Sequence, residues 1–193
     1  MLVASRTAGA LLLAILWLGP LPELAAGSII LHMVLHLGIV AVVPALLAPR
    51  LRWGAGPVWL ALAVVAEMLV VWGWHPPSAH LWARLSNLGL VLEQGSFLAV
   101  GLLLWAVVNS AGRLGGAVVL LGTVMHMTLL GALIGLSPRE LYGDICAGYF
   151  GLDALAEQQI AGALMAGAGG ALYLGFALAR LAPALRLQEE ATP

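Results

Sequence analysis

Apolar stretches of about 20 residues recur along most of the chain, and they restrict its fold more than any other feature. Hydrophobic residues make up 62% of the sequence and charged residues only 9%. Helices of this length and composition match the hydrocarbon core of a bilayer, which is about 30 Å thick. The sequence therefore predicts an all-α integral membrane protein, with residues 1–193 forming a single transmembrane helical domain. The expected bundle has about six spans, at residues 3–19, 29–47, 58–74, 88–108, 117–136 and 160–181.

The distribution of arginine predicts how this bundle is oriented. Lysine is absent, and six of the eight arginines fall at the termini or in two of the connections: Arg6, Arg50, Arg52, Arg113, Arg180 and Arg186. Arg84 and Arg139 fall on the opposite side, so the positive-inside rule places both termini in the cytoplasm. Residues 1–26 also resemble a signal peptide, because Arg6 precedes a short apolar core that Pro20 and Pro22 interrupt. We expect an uncleaved first helix.

Charge and cysteine content limit the chemistry that the chain can support. A net charge of −1 does not favour a nucleic-acid partner. Cys146 is the one cysteine, which excludes an internal disulfide and the paired-cysteine motifs of thiolate metal carriers, and we expect it to be an isolated thiol. A metal site in this chain would therefore depend on histidine, methionine and carboxylate ligands.

His32 and His36 lie within the second predicted span, one helical turn apart. Histidine is costly in hydrocarbon unless it is paired, hydrated or bound to a metal, so an intramembrane histidine pair suggests a functional site. A spacing of four residues places both imidazoles on one face of a helix, where one ion could bridge them. A role for the pair in metal binding is therefore favoured over packing.

Other polar side chains fall in the outer halves of the predicted spans, so we expect one polar pocket that opens to the outside. With a rise of about 1.5 Å per residue, these groups lie from the outer surface to roughly 15 Å deep. The candidate metal site then consists of His32, His36, His75, His126, Met33, Glu67 and Glu93. The two glutamates could serve as counter-ions or form neutral hydrogen bonds between helices. His80 follows Pro76 and Pro77, and we expect it to be a solvated loop residue.

Four motifs, spread over most of the chain, resemble those of the CtaG family of caa3-type cytochrome c oxidase assembly factors. They occur in the family's order: His32-Met33-Val34-Leu35-His36, Trp74-His75-Pro76-Pro77, Leu92-Glu93-Gln94 ahead of Gly101 and Trp105, and Glu157 to Met165 at the start of the last helix. Three positions differ from the family pattern. Leu35 replaces a glutamine, Glu157 replaces an aspartate, and Gln94 stands where a histidine often follows the glutamate.

The resemblance implies a membrane protein, not an enzyme, that assists copper insertion into a haem-copper cytochrome c oxidase. It implies a location in the bacterial cytoplasmic membrane. The implied partners are the catalytic subunit of the oxidase or other copper carriers, besides the lipid bilayer, and a homo-oligomer is possible. Because imidazole suits copper and thioether suits Cu(I), the expected cargo is copper, as Cu(I).

Three other functions are compatible with the same residues. A haem-binding electron-transfer subunit would need His36 to pair with His126 or His75, since histidines four apart on one helix cannot clamp a haem from opposite faces. A scaffold subunit of a respiratory complex would use the polar groups only for helix packing. A copper permease is less compatible, because the inner halves of the helices contain almost no ionisable side chain.

Overall fold

The computed structural model describes residues 2–52, 54–143, 145 and 149–189, and the side chains of residues 4–182 within these ranges. Cys146, the expected isolated thiol, lies outside them. The described residues form helices joined by short irregular connections and contain no strand. The helices are α1 Leu2–Leu18, α2 Leu21–Ala26, α3 Ile29–Leu37, α4 Val43–Leu47, α5 Pro57–Trp74, α6 Pro77–Leu85, α7 Asn87–Ser110, α8 Arg113–Gly135, α9 Ala154–Leu164 and α10 Gly170–Glu189. π-helical turns at Gly38–Val42 and Met165–Gly169 join α3 to α4 and α9 to α10. The expected all-α membrane architecture is confirmed.

Five helical segments of the described chain are long and apolar enough to cross a membrane: Ile29–Leu47, Pro57–Trp74, Asn87–Ser110, Arg113–Gly135 and Ala154–Ala182. The predicted first span corresponds to α1, whose apolar part, Ala4–Leu18, is shorter than the other five. The expected count of six spans is therefore not confirmed.

The helices begin where the local sequence favours an N-terminus. Ser28 caps α3 and Ser86 caps α7, each accepting a hydrogen bond from a backbone N–H three residues later. Asp153 caps α9 in the same way, through a 2.7 Å bond from the backbone N–H of Ala156. Pro57 and Pro77 occupy the first positions of α5 and α6, where the absence of an N–H costs nothing.

The helices pack around α7 and α8. Helix α8 contacts α5, α9 and α10, whereas α7 contacts α5, α6 and the π-helical turn between α3 and α4. Helix α1 packs against α4. Large apolar side chains such as Leu69 and Val58, which are 62% and 70% exposed, cover the outside of the bundle. A bilayer would bury this surface, as expected for a protein that spans a membrane.

Consecutive long helices run antiparallel, so the bundle has two distinct ends. One end contains Ser28, Trp74 and Ser86, and we call it the histidine end because His75 lies there. At this end the Trp74 indole of α5 donates a hydrogen bond to Ser96 of α7. The arginine end contains Arg50, and there the backbone N–H of Leu51 donates to Ser110 over 2.6 Å. The arginine distribution predicts that the histidine end faces outward.

Candidate metal centre

Four histidines from three helices meet at the histidine end of the bundle. His32 and His36 lie on successive turns of α3, His75 caps the C-terminus of α5, and His80 lies in α6. All four are at most 4% exposed. The chain turns at Pro76 and brings α6 back toward α3; Pro76 has an extended backbone (φ −58°, ψ 142°) because a proline, here Pro77, disfavours the helical conformation of the residue before it. We call these four residues the histidine cluster.

The four imidazole rings of the cluster are neighbours in the structure. Ring centroids are 4.7 Å apart for His32 and His80, 5.1 Å for His36 and His75, and 6.0 Å for His32 and His75. His32 and His36 themselves are 6.2 Å apart and nearly parallel. The i, i+4 spacing on α3 thus produces the shared face that the sequence predicts, and α5 and α6 supply rings opposite that face.

Several nitrogen atoms of the cluster make no hydrogen bond with any described residue. The Nδ1 of His75 is 2.6 Å from the carbonyl oxygen of Val71, so its N–H donates there and the Nε2 lone pair is left without a partner. His32 Nδ1 and both nitrogens of His36 are also buried without a partner. Burying such groups is unfavourable, and a metal ion would satisfy the lone pairs.

The two cluster histidines outside the membrane-spanning helices favour the neutral form. Burial lowers the pKa of His75 to about 4, although its hydrogen bond with the Val71 carbonyl opposes the shift. Burial and the nearby Arg84 guanidinium lower the pKa of His80 to about 3. Both imidazoles are therefore neutral at pH 7, which is the state that binds metals.

A carboxylate adjoins the cluster and is held by an arginine. The Oε2 of Glu93, on α7, pairs with the Arg84 guanidinium of α6, and both side chains are almost fully buried. Gln94 donates a 2.9 Å hydrogen bond to the same oxygen. Glu93 Oε1 makes no hydrogen bond with a described residue. Ligand atoms of His32, His80 and Glu93 lie within 4.8 Å of one another, and no other three such residues in the described chain come this close.

Tyr142, from the connection between α8 and α9, covers the cluster. Its hydroxyl donates a 2.6 Å hydrogen bond to the His75 carbonyl, and its ring lies edge-on to His80 with centroids 5.0 Å apart. A cavity of about 120 Å³ between α6 and this connection reaches His80, with Ser78 and Ile145 among its walls. The cluster is therefore closed on this side by a single aromatic side chain.

Two polar residues at the start of α9 bond to neighbouring segments: Glu157 to the start of α3, and Gln158 to the connection between α8 and α9. Glu157 accepts a hydrogen bond from the Ser28 hydroxyl and so ties α9 to the start of α3. The Gln158 amide donates to the carbonyl of Ile134 over 3.0 Å and accepts from the Leu141 backbone N–H over 2.6 Å. Since Leu141 precedes Tyr142, Gln158 positions the covering tyrosine.

Glu67 and His126 form a second polar group between α5, α8 and α10, with His126 close enough to His36 to interact with it electrostatically. Glu67 Oε2 accepts a 2.7 Å hydrogen bond from Thr123 and lies 3.3 Å from His126 Nε2, while Oε1 accepts a 3.0 Å bond from Tyr173. All four residues are buried. The hydrogen bonds account for the intramembrane carboxylate without a metal ion.

The structure thus divides the predicted site residues. It brings His32, His36, His75 and Glu93 together, and it places Glu67 and His126 in a different group. Met33 is buried in the apolar core. The expectation that His80 is a solvated loop residue is wrong, because α6 is amphipathic and buries it together with Ala83. The spacing of His80 and Arg84, one turn apart, is the sequence signal for that buried face.

The fold and the cluster together define a class of protein, a polytopic helical membrane protein with a buried histidine site at one end. A family model described as cytochrome c oxidase caa3 assembly factor matches residues 50–186, which is more than half of the chain. The chain belongs to this family. The matched range includes His75, His80 and Glu93, whereas His32 and His36 precede it. Neither the curated proteins nor the solved structures contain a match.

Proposed function

We propose that this assembly factor binds copper, as Cu(I), at the histidine cluster and passes it to a cytochrome c oxidase during assembly. The observation that carries the proposal is the convergence of four buried imidazoles from three helices, several with unpartnered nitrogens. Neutral imidazole is a good ligand for copper, and Glu93 would balance the charge of the ion. The recipient is the catalytic subunit of the oxidase or another copper carrier.

The arrangement supports transfer better than permanent storage. The ligand atoms that come within 4.8 Å of one another belong to two histidines and a carboxylate, and the carboxylate is already paired with Arg84. Such an incompletely closed site exchanges its metal more readily than a cage of four committed ligands. The small cavity at His80 lies beside the cluster, on the side that Tyr142 covers.

Haem at the histidine cluster is less compatible with the space available. The cavity that reaches His80 measures about 120 Å³, well below the roughly 300–1,000 Å³ of pockets that hold drug-sized ligands. A macrocycle would require the helices to separate. A scaffold role remains the alternative that predicts no bound metal.

The proposal is tested by elemental analysis and visible absorption of the detergent-purified protein, loaded anaerobically with Cu(I). We expect near-stoichiometric copper in the wild type, and its loss in His80→Ala and in the double variant His32→Ala/His36→Ala. His126→Gln is the matched control, because His126 is the histidine outside the cluster, and it should retain copper. Size-exclusion profiles establish that each variant is folded.

Other results would contradict the proposal. Wild-type protein without copper or pigment would indicate a scaffold, and a Soret band would indicate haem. Loss of copper in His126→Gln but not in His80→Ala would place the metal at the Glu67 group. In cells, normal activity of a copper-dependent oxidase matured with the His32→Ala/His36→Ala variant would refute the assembly role of the cluster.

A further inference from the structure

A larger cavity lies at the arginine end of the bundle, between α1, α4 and the C-terminal part of α7. Its volume is about 440 Å³, and Ser5, Arg6, Ala45, Leu46, Arg50 and Asn109 contribute to its walls. Along the helical segment Ile29–Leu47, nine residues separate His36 of the histidine cluster from Ala45 of the cavity wall, or about 14 Å at 1.5 Å per residue. We call it the arginine cavity, and the copper proposal does not involve it.

The charge around the arginine cavity is positive and uncompensated among the described side chains. The ion pairs among the described side chains are Arg84–Glu93 and His126–Glu67, neither of which lines this cavity, so Arg6 and Arg50 have no carboxylate partner among those side chains. Arg180 lies close enough to repel Arg50 electrostatically. The acidic side chains that the structure describes lie in the membrane-spanning helices or toward the histidine end: Glu23, Glu67, Glu93, Glu140, Asp153 and Glu157.

The walls of the cavity are held by hydrogen bonds between helices. The Ser5 hydroxyl of α1 donates to the carbonyl of Leu46 over 3.2 Å, and the Asn109 amide of α7 donates to the carbonyl of Ala48 over 3.3 Å. Both bonds join their helix to the end of α4. The cavity is therefore a defined space between three segments, and Arg6 and Arg50 enter it from different segments.

We propose that the arginine cavity binds the phosphate headgroup of an anionic phospholipid. Guanidinium groups bind phosphate oxygens in bidentate geometry, and two arginines line this cavity with no carboxylate partner among the described side chains. Ala45 and Leu46 add an apolar wall, which suits the glycerol and acyl part of a lipid better than a free ion. Basic pockets between transmembrane helices on the cytoplasmic side commonly bind anionic headgroups.

Native mass spectrometry of the full chain in detergent, titrated with phosphatidylglycerol or phosphatidylcholine, tests this inference. We expect one tightly retained phosphatidylglycerol in the wild type, and an affinity about 30-fold lower in Arg6→Gln/Arg50→Gln, given the attraction that two arginines supply. Arg113→Gln is the matched control, because Arg113 is exposed at the same end and does not line the cavity. It should leave the affinity nearly unchanged.

Further arms separate the sources of the phosphate group and guard against misfolding. Millimolar inorganic phosphate should not displace the lipid; displacement by phosphate would identify a free anion as the ligand. Equal retention of phosphatidylcholine, or an equal loss of affinity in Arg113→Gln, would also overturn the proposal. If the double variant is unfolded by size exclusion, Arg6→Lys/Arg50→Lys keeps the charge, and its affinity should be lower than that of the wild type because bidentate contacts are lost.

Discussion

Glu93 and Arg84 should act in opposite directions on the affinity of the histidine cluster for a cation. Glu93 Oε2 is paired with Arg84, whereas Oε1 makes no hydrogen bond with a described residue and belongs to the group formed with His32 and His80. Replacing Glu93 by glutamine removes a negative charge and leaves the positive charge of Arg84. Replacing Arg84 by glutamine does the reverse.

The size of the effect follows from Coulomb's law. Two unit charges 4 Å apart interact by about 4 kcal/mol at an effective dielectric constant of 20. Because the cluster lies at the end of the bundle near the aqueous surface, an effective dielectric constant between this value and that of water applies, and we expect about 2 kcal/mol from each substitution. A change of about 2 kcal/mol corresponds to roughly 30-fold in affinity. Glu93→Gln should bind Cu(I) about 30-fold more weakly than the wild type, and Arg84→Gln about 30-fold more tightly.

Competition with a chromophoric Cu(I) chelator in detergent measures these affinities. The double variant Arg84→Gln/Glu93→Gln should return close to wild-type affinity. Arg139→Gln, which removes an exposed charge at the same end, should have little effect. Each single substitution also breaks a buried ion pair, which costs about 3–5 kcal/mol of stability. Damage to the fold would weaken binding in both single variants, so their size-exclusion profiles are compared with that of the wild type. A loss of affinity in an Arg84→Gln variant that is folded by this criterion would refute the electrostatic argument.

Three further predictions concern access, packing and the second polar group. Tyr142→Phe removes the hydrogen bond to the His75 carbonyl, so copper release to a chelator should be up to about tenfold faster, with the copper stoichiometry unchanged. An unchanged release rate would mean that Tyr142 does not control access to the cluster. Gly162→Ala would force a Cβ against the backbone of α8 and should lower the free energy of unfolding, measured by denaturant titration, by about 1–3 kcal/mol. Gly167→Ala is the control, because a Cβ at Gly167 meets no atom within 4 Å and should not be destabilising. Glu67→Leu should destabilise the protein by about 1–3 kcal/mol more than Glu67→Gln, because leucine leaves the hydroxyls of Thr123 and Tyr173 without an acceptor. Equal stability of the two variants would contradict the role of these hydrogen bonds.

Much of the fold could be predicted because membrane helices are specified locally. Long apolar segments, proline and capping residues determine where a span begins, and the predicted second span, 29–47, coincides with the α3–α4 segment. His32 and His36 could be placed on one face because their spacing matches the helical repeat. His75 and Glu93 could be assigned to the same end of the bundle from their depth in antiparallel spans.

The composition of the site could not be completed from the sequence, because it depends on tertiary contacts. His80 follows two prolines, which favour a loop, yet α6 folds back and buries it beneath Tyr142. Glu67 has a depth similar to that of the cluster, but the side chain bonds to α8 and α10 instead of facing α3. Depth along a helix is readable from sequence, whereas rotation about the helix axis toward a particular neighbour requires the packed structure.

The Glu157-Gln158 motif contains none of the cluster histidines, but it contacts the segments that supply and cover them. Glu157 is bonded to Ser28, one turn before His32, and Gln158 is bonded to the backbone next to Tyr142. One turn of α9 therefore fixes the start of α3, which supplies His32 and His36. It also fixes the segment with Tyr142, which covers His75 and His80. Because the two contacts share one rigid helix, a shift of α9 would move the cover and the start of α3 together.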